Sequence, residues 1–299
     1  MRCIFPLVIA ALASGICAAF TIQPRIVIPR WIQNEGLKKQ ISPAKDFAPA
    51  RPSTSSFTSL YSSKNDDTAD NSITNNINVP YALLYVTFLT FAFNFAPGTL
   101  NSDADTALLT ELISNPLHPA VNHLWLTIWD AFAIVPIALA ALLLPGAKKS
   151  SPFLPPGPFI AGSAALGFFA LGPLMITRQP STSVTKEDCG FITKNVFESK
   201  PFSIILTILA LTIPVTSGLA SDIISGNPTL LSGFTDMYAS SRFVSIAASD
   251  LFLLSAISVS LIPEDRERRR MEPKLPIYAL IPGLGPCLHL LLRSELPEQ

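Results

Sequence analysis

Four polar side chains lie inside otherwise apolar stretches of this sequence: Asn94, Asp130, Asp250 and His289. An ionisable group at the centre of a membrane-crossing helix costs ~2.5–3.5 kcal/mol on insertion scales, so its placement is the best functional clue such a chain offers. Carboxylates and imidazoles can pass protons, hold ions or bind polar groups of a ligand. Counted at ~1.5 Å per residue along their runs, Asp130 and Asp250 each lie about 12 Å from an entry end. Asn94 falls level with Asp130, and His289 level with Asp250. The spacing therefore allows two polar layers, Asn94/Asp130 and Asp250/His289. Three roles stay open for them: a hydrogen bond between helices worth ~0.6–2 kcal/mol, a proton or ion relay, and a contact to a ligand or pigment.

Other residue types are less specific. His118 and His123 stand beside Trp125 and Trp129 at the mouth of one apolar run, where an aromatic belt is expected. No third ligand accompanies them, so no metal site is expected. The four cysteines have neither metal nor redox spacing, and no cofactor motif is present. Gly162, Gly167 and Gly172 are spaced for close helix packing, and lack the strand and Lys-Ser/Thr of a phosphate loop. The PGLGP sequence puts a helix break at Pro282, Gly283, Gly285 and Pro286. Transporter sites use such breaks in pairs, and the second is missing here. Arg266, Arg268, Arg269 and Arg270 follow Glu264-Asp265 and read as a basic loop. Such a loop sets topology, meets an anionic lipid surface or docks a soluble partner.

The elements that must position these groups are six apolar runs: Tyr81–Ala96, Val121–Leu144, Pro158–Ile176, Phe202–Ala220, Phe243–Ile262 and Leu275–Leu292. Mean hydropathy is +0.42 and only 14% of residues are charged, against about 25% in soluble domains. A run of ~20 apolar residues matches a hydrocarbon core ~30 Å thick. The expected fold is all-α: a polytopic transmembrane helix bundle of about six spans, or five and a re-entrant segment, over residues 80–293. A short tail, 294–299, follows. Prolines at run ends, Pro263 among them, read as helix punctuation. Net charge is zero, so no nucleic-acid partner is expected; the lipid bilayer is. Lys and Arg counts place the loops 101–120, 177–200 and 263–274 together on the positive side of the membrane, with Lys148 and Lys149 voting against.

Residues 1–19 carry Arg2, the apolar run Ile4–Ile16 and the small-residue end Cys17-Ala18-Ala19, the pattern of a signal peptide. Residues 20–79 are first basic and rich in Ser and Thr, as in a transit peptide, and then a polar linker too poor in apolar residues to fold. Ala18-Ala19-Phe20, with Pro24 nearby, resembles the two-part presequence of algae with secondary red-lineage plastids.

The blocks NPLHPAVNHLWLTIWDAFAIVPIALAALLLP, PPGPFIAGSAALGFFALGPLMITR, SRFVSIAASDLFLLS, PEDRERRR and IPGLGPCLHLLLR resemble an uncharacterised multi-pass membrane protein family of cyanobacteria and plastids. This resemblance implies plastid ancestry and location and supplies no catalytic residues. Asp250-Leu251, Arg269-Arg270, Gly285-Pro286 and Leu290–Arg293 are also similar to the membrane proteins required for neoxanthin formation in plants. The sequence thus leads to an integral protein of a plastid membrane, thylakoid or inner envelope. Its expected role is structural, in assembly or in interaction with a photosynthetic membrane complex, without cofactor or metal. Two other readings remain: an intramembrane enzyme on a lipid-soluble substrate such as a carotenoid, using Asp130, Asp250 or His289, and a small-solute or proton carrier.

Overall fold

Side-chain caps start four of the eleven α-helices among the residues that the computed structural model describes, 77–99, 102–116, 119–147 and 155–298. The signal-peptide and transit-peptide expectations (1–19 and 20–76), His118, Lys148 and Lys149 lie outside the described residues. Helix α1 is Val79–Thr90, started by Pro80 in its first turn and prolonged by a π-helical turn, Phe91–Phe95. Ser102 caps α2, Asp103–Ser114, by accepting from the Asp105 N–H. Asn122 caps α3, His123–Ala131, through the Leu124 and Trp125 N–H groups. A turn leads into α4, Val135–Leu143, which carries Pro136 where no backbone donor is needed. Next come α5, Pro156–Leu166, and α6, Phe168–Thr177. Ser199 caps α7, Lys200–Thr216, which leads to α8, Leu219–Ser225, and α9, Thr229–Ser240. Ser241 caps α10, Arg242–Arg268, and the last helix is α11, Leu284–Leu292. Each cap satisfies a backbone donor that the helix itself leaves unpaired.

The fold is all-helical, with no strand among the described residues. Among the described residues, two helical segments are long and apolar enough to cross a membrane: His123–Gly146, which joins α3 and α4, and Arg242–Arg268. Lys200–Thr216 with Leu219–Ser225 makes a third if the pair, bent by 51°, counts as one span. This corrects the expected six. The apolar runs are present, but backbone breaks divide them. The third run splits at Gly167 into α5 and α6. The sixth forms a 3-10 turn, Ile277–Leu280, a turn at Pro282-Gly283 and the nine-residue α11. The PGLGP break is therefore real, and the segment around it is too short to be a span.

Helix α10 packs against α3, α4, α9 and α11, and α4 also packs against α5 and α11. Their contact buries Val135, Ala138, Leu139, Leu142, Leu254, Ile257 and Leu261. Toward the outside, α1 shows Val79, Leu83 and Val86, and α7 shows Ile204, Ile208, Leu211 and Val215. Residues at such i, i+4, i+7 spacing form one continuous apolar stripe per helix. Stripes of this size on a water-soluble surface are uncommon, and lipid is their natural solvent.

Candidate functional site

Gly167 is where the site begins. Its φ of 56° ends α5 and lets α6 start on a new axis, a conformation costly for any residue with a Cβ. The turn also leaves the first N–H of α6 without a partner in its own helix. Asp250, a third of the way along α10, supplies one: Oδ1 accepts from the Phe168 N–H at 2.7 Å. The other oxygen, Oδ2, rests on Gly167 itself, where a Cβ would fall 1.5 Å from it. A carboxyl group from a distant helix thus caps α6. Among the described residues no cation pairs with it.

The same carboxyl group faces an apolar cavity of about 540 Å³. Trp129 and Phe132 line it from the α3 end, Ala161 and Ala165 from α5, Phe169 from α6, and Phe243 from α10. Trp129 and Phe243 meet at 5.9 Å with rings inclined by 62°, and Trp125 backs them in a T-shaped contact with Phe243 at 5.7 Å. These edge-to-face contacts fix the aromatic wall. The alanines opposite leave the space that larger side chains would fill. The result is an apolar chamber with Asp250 as the one ionisable group among its described lining residues.

One end of this chamber is fastened by a buried ionic network. Arg178 donates to both oxygens of Glu264, at 3.0 and 2.7 Å, and Arg268 also donates to Glu264. Arg268 further donates to the Ser181 and Leu142 carbonyls, at 2.7 Å each. Arg269 donates to Asp265 and, with two nitrogens at 2.8 Å, to Glu198. His289 Nε2 lies 2.9 Å from Asp265 Oδ2. Arg293 donates to Glu198, Asp265 and the Ala141 and Phe197 carbonyls. The Ala141 and Leu142 carbonyls belong to the last turn of α4, so two guanidinium groups cap the negative end of that helix. Burial penalises the charge on Arg269, and the Asp265 and Glu198 carboxylates outweigh that penalty, holding its pKa above the ordinary value. For Arg293 burial prevails over the same carboxylates, and its pKa is lowered.

The structure separates the residues expected to work together. Asp250 bonds to Phe168 and His289 to Asp265, so the Asp250/His289 layer does not form. Asn94 is exposed and donates to Thr90 of its own helix at 3.3 Å, not to Asp130. Asp130 is half-buried on α3. The basic-loop expectation is corrected as well. Helix α10 runs on through Pro263 to Arg268, and Arg268 and Arg269 are 2% and 5% exposed. Only Arg266 and Arg270 stay clear of the network; Arg266 donates to the Glu272 carbonyl. Pro282 is exposed, and Gly285 packs so closely on Ala279 that a Cβ would come within 2.3 Å of its carbonyl oxygen. The sequence reading missed Glu198, Arg178, Glu264, Asp265 and Arg293. The i, i+4 pairs Glu264/Arg268 and Asp265/Arg269 were the available signal.

No family model, curated protein or solved structure matches this chain.

Proposed function

We propose that this chain is a multi-span protein of a plastid membrane that holds a lipophilic molecule in the cavity beside Asp250. The observation that carries this reading is the cavity itself: about 540 Å³, walled by aromatic rings and alanines, with one carboxyl group as its polar mark. Ligand sites of this kind are largely apolar with a few placed polar groups that fix orientation. A long hydrocarbon or isoprenoid bearing a hydroxyl or carbonyl group matches that lining, and a carotenoid falls in this class. The polar end would meet Asp250 while the chain lies against Trp129, Phe169 and Phe243.

Binding accounts for the site better than acid–base catalysis or transport. Paired carboxylates or a base with its orienting partner are the usual marks of acid–base work, and Asp250 has neither among the described residues. A relay through Asp250 needs a second titratable group linked to it, whereas its hydrogen bond runs to the Phe168 backbone and His289 bonds to Asp265 instead. An assembly role leaves the chamber unexplained. The lipid-facing stripes on α1 and α7 support more than the two long spans, with shorter helices sharing the bilayer by tilt or local thinning. The basic, hydroxyl-rich leader supports plastid delivery.

Retinol, a polyene alcohol, tests the reading. Titrated into the purified protein in detergent, it is expected to accept energy from tryptophan, with the signal reduced by Trp129→Phe. Ala161→Phe, which fills the cavity, is expected to weaken binding tenfold or more, about 1.4 kcal/mol. Equal binding by wild type and Ala161→Phe would reject the site.

A further inference from the structure

A second arrangement lies away from the cavity, at the start of α3. His123 Nδ1 is 2.8 Å from Asp222 Oδ2 on α8. One turn further on, the hydroxyl groups of Thr127 and Ser217 meet at 2.7 Å and tie the same segments. Between α7 and α8 the chain bends at Gly218, whose φ is 88°. The imidazole packs directly on that glycine; a Cβ there would stand 2.8 Å from the ring. With Nδ1 turned to a carboxylate, Nε2 is the ring nitrogen left to meet a ligand. Among the described residues the ring makes no other hydrogen bond. The side chain is 43% exposed. It borders a cleft of about 550 Å³ whose other walls are Pro119, Leu126, Val215, Thr216, Ser217 and Gly218, all uncharged.

A basic nitrogen oriented by a carboxylate on the far side of its ring is the usual arrangement of a metal-binding histidine. A bare zinc or copper ion needs three or four protein ligands, and no group of three His, Cys, Asp or Glu is gathered among the described residues. A single imidazole suffices for a metal that arrives with its equatorial ligands in place. Metallotetrapyrroles are that class: the ring fills four positions and leaves an axial one that a lone histidine can take. Their broad apolar faces suit an uncharged cleft that runs out to Val215, itself 69% exposed. We propose that His123 is the axial ligand of a metallotetrapyrrole seated in this cleft, with Asp222 as the positioning residue behind it. The bond formed is coordinate, from the Nε2 lone pair to the open axial site, and no proton or electron is transferred. This site differs from the interfacial role expected for His123 and does not depend on the cavity at Asp250.

The full chain in detergent, titrated with haemin and with zinc protoporphyrin, tests it. The expected result is a Soret band shifted to the position of a nitrogen-ligated metal. The shift should be lost in His123→Gly and return when free imidazole is added. Asp222→Asn should weaken binding about tenfold or more, whereas His118→Ala and Asp250→Asn should retain the shift. Absence of a shift in the wild type, or its survival in His123→Gly, would overturn the proposal. So would a loss in His123→Gly that imidazole fails to restore, or a loss in His118→Ala.

Discussion

The contact between Asp250 and the Gly167 turn makes distinct predictions for each substitution. Gly167→Ala imposes a Cβ at φ 56° and on the carboxyl group, and the backbone strain alone should cost about 1–3 kcal/mol. Asp250→Asn keeps an oxygen for the Phe168 N–H and should stay within about 1 kcal/mol of wild type. Asp250→Leu leaves that buried N–H without an acceptor and should cost about 1–3 kcal/mol. Unfolding midpoints in detergent should rank wild type, then Asn, then Leu; a leucine variant as stable as wild type would remove the capping role. Asp250 was legible in the sequence because a charge inside an apolar run is conspicuous. Its partner was not, because a backbone N–H has no letter of its own and Gly167 read as a packing residue.

A gentler case lies at the C-terminus. Glu295 is held below its ordinary value of 4.5 by the hydrogen bond from Lys186, and Lys186 is held above its ordinary 10.5 by its bonds to Glu295 and Glu298. A lowered acid stabilises the docked form above its ordinary pKa and loses that contribution as pH falls through the lowered value. A raised base stabilises it below 10.5 and loses the contribution as pH rises through the raised value. Exchange-corrected protection of the Lys186 amide, which donates to the Pro297 carbonyl at 3.1 Å, should therefore be level near neutrality and fall at acidic and at strongly basic pH. Both partners are at the surface, so salt should blunt the effect; protection rising as pH drops below 4.5 would contradict the sign.

At the scale of elements, the apolar runs marked where helices lie but not where they stop. Gly167 takes a positive φ in the middle of the third run, and Gly218 takes one just before the end of the fourth; one glycine in an apolar stretch is ordinarily tolerated within a helix. Pro263 misled in the opposite direction. It reads as an end signal, yet α10 continues to Arg268 because Glu264, Asp265 and Arg268 beyond it are anchored to other segments. Interior proline costs a helix roughly 3 kcal/mol, and the buried ion pairs beyond it tie the final turns to neighbouring segments. Helices α2 and α9 escaped the sequence reading because they are mixed in polarity and lie between the runs. Removing one partner from a buried ion pair costs about 3–5 kcal/mol. Asp265→Ala and Arg269→Ala should each show a loss of that order, while Arg270→Ala, at an exposed position, should change stability by less than about 0.5 kcal/mol. Equal effects at Arg269 and Arg270 in denaturation experiments would mean that the network is not formed.

Among the described residues, apolar stripes on α1 and α7 face outward, while the interior beside α10 holds a buried ionic network and an apolar cavity. Two long helices suit a bilayer by length and composition, and the stripes on α1 and α7 extend that apolar exterior. The network fixes α10, α11 and the end of α4 to one another, which leaves the cavity between α3, α5, α6 and α10 with firm walls. Preformed walls lower the ordering cost of binding a long apolar guest. The most direct test is to purify the full-length protein in mild detergent from its own membrane, extract it with organic solvent, and quantify the released molecules by mass spectrometry beside Ala161→Phe. The expected result is one dominant lipophile bearing a hydroxyl or carbonyl group, near-stoichiometric in the wild type and depleted in the variant. Bulk membrane lipid alone, or the same lipophile at equal amounts in both proteins, would contradict it.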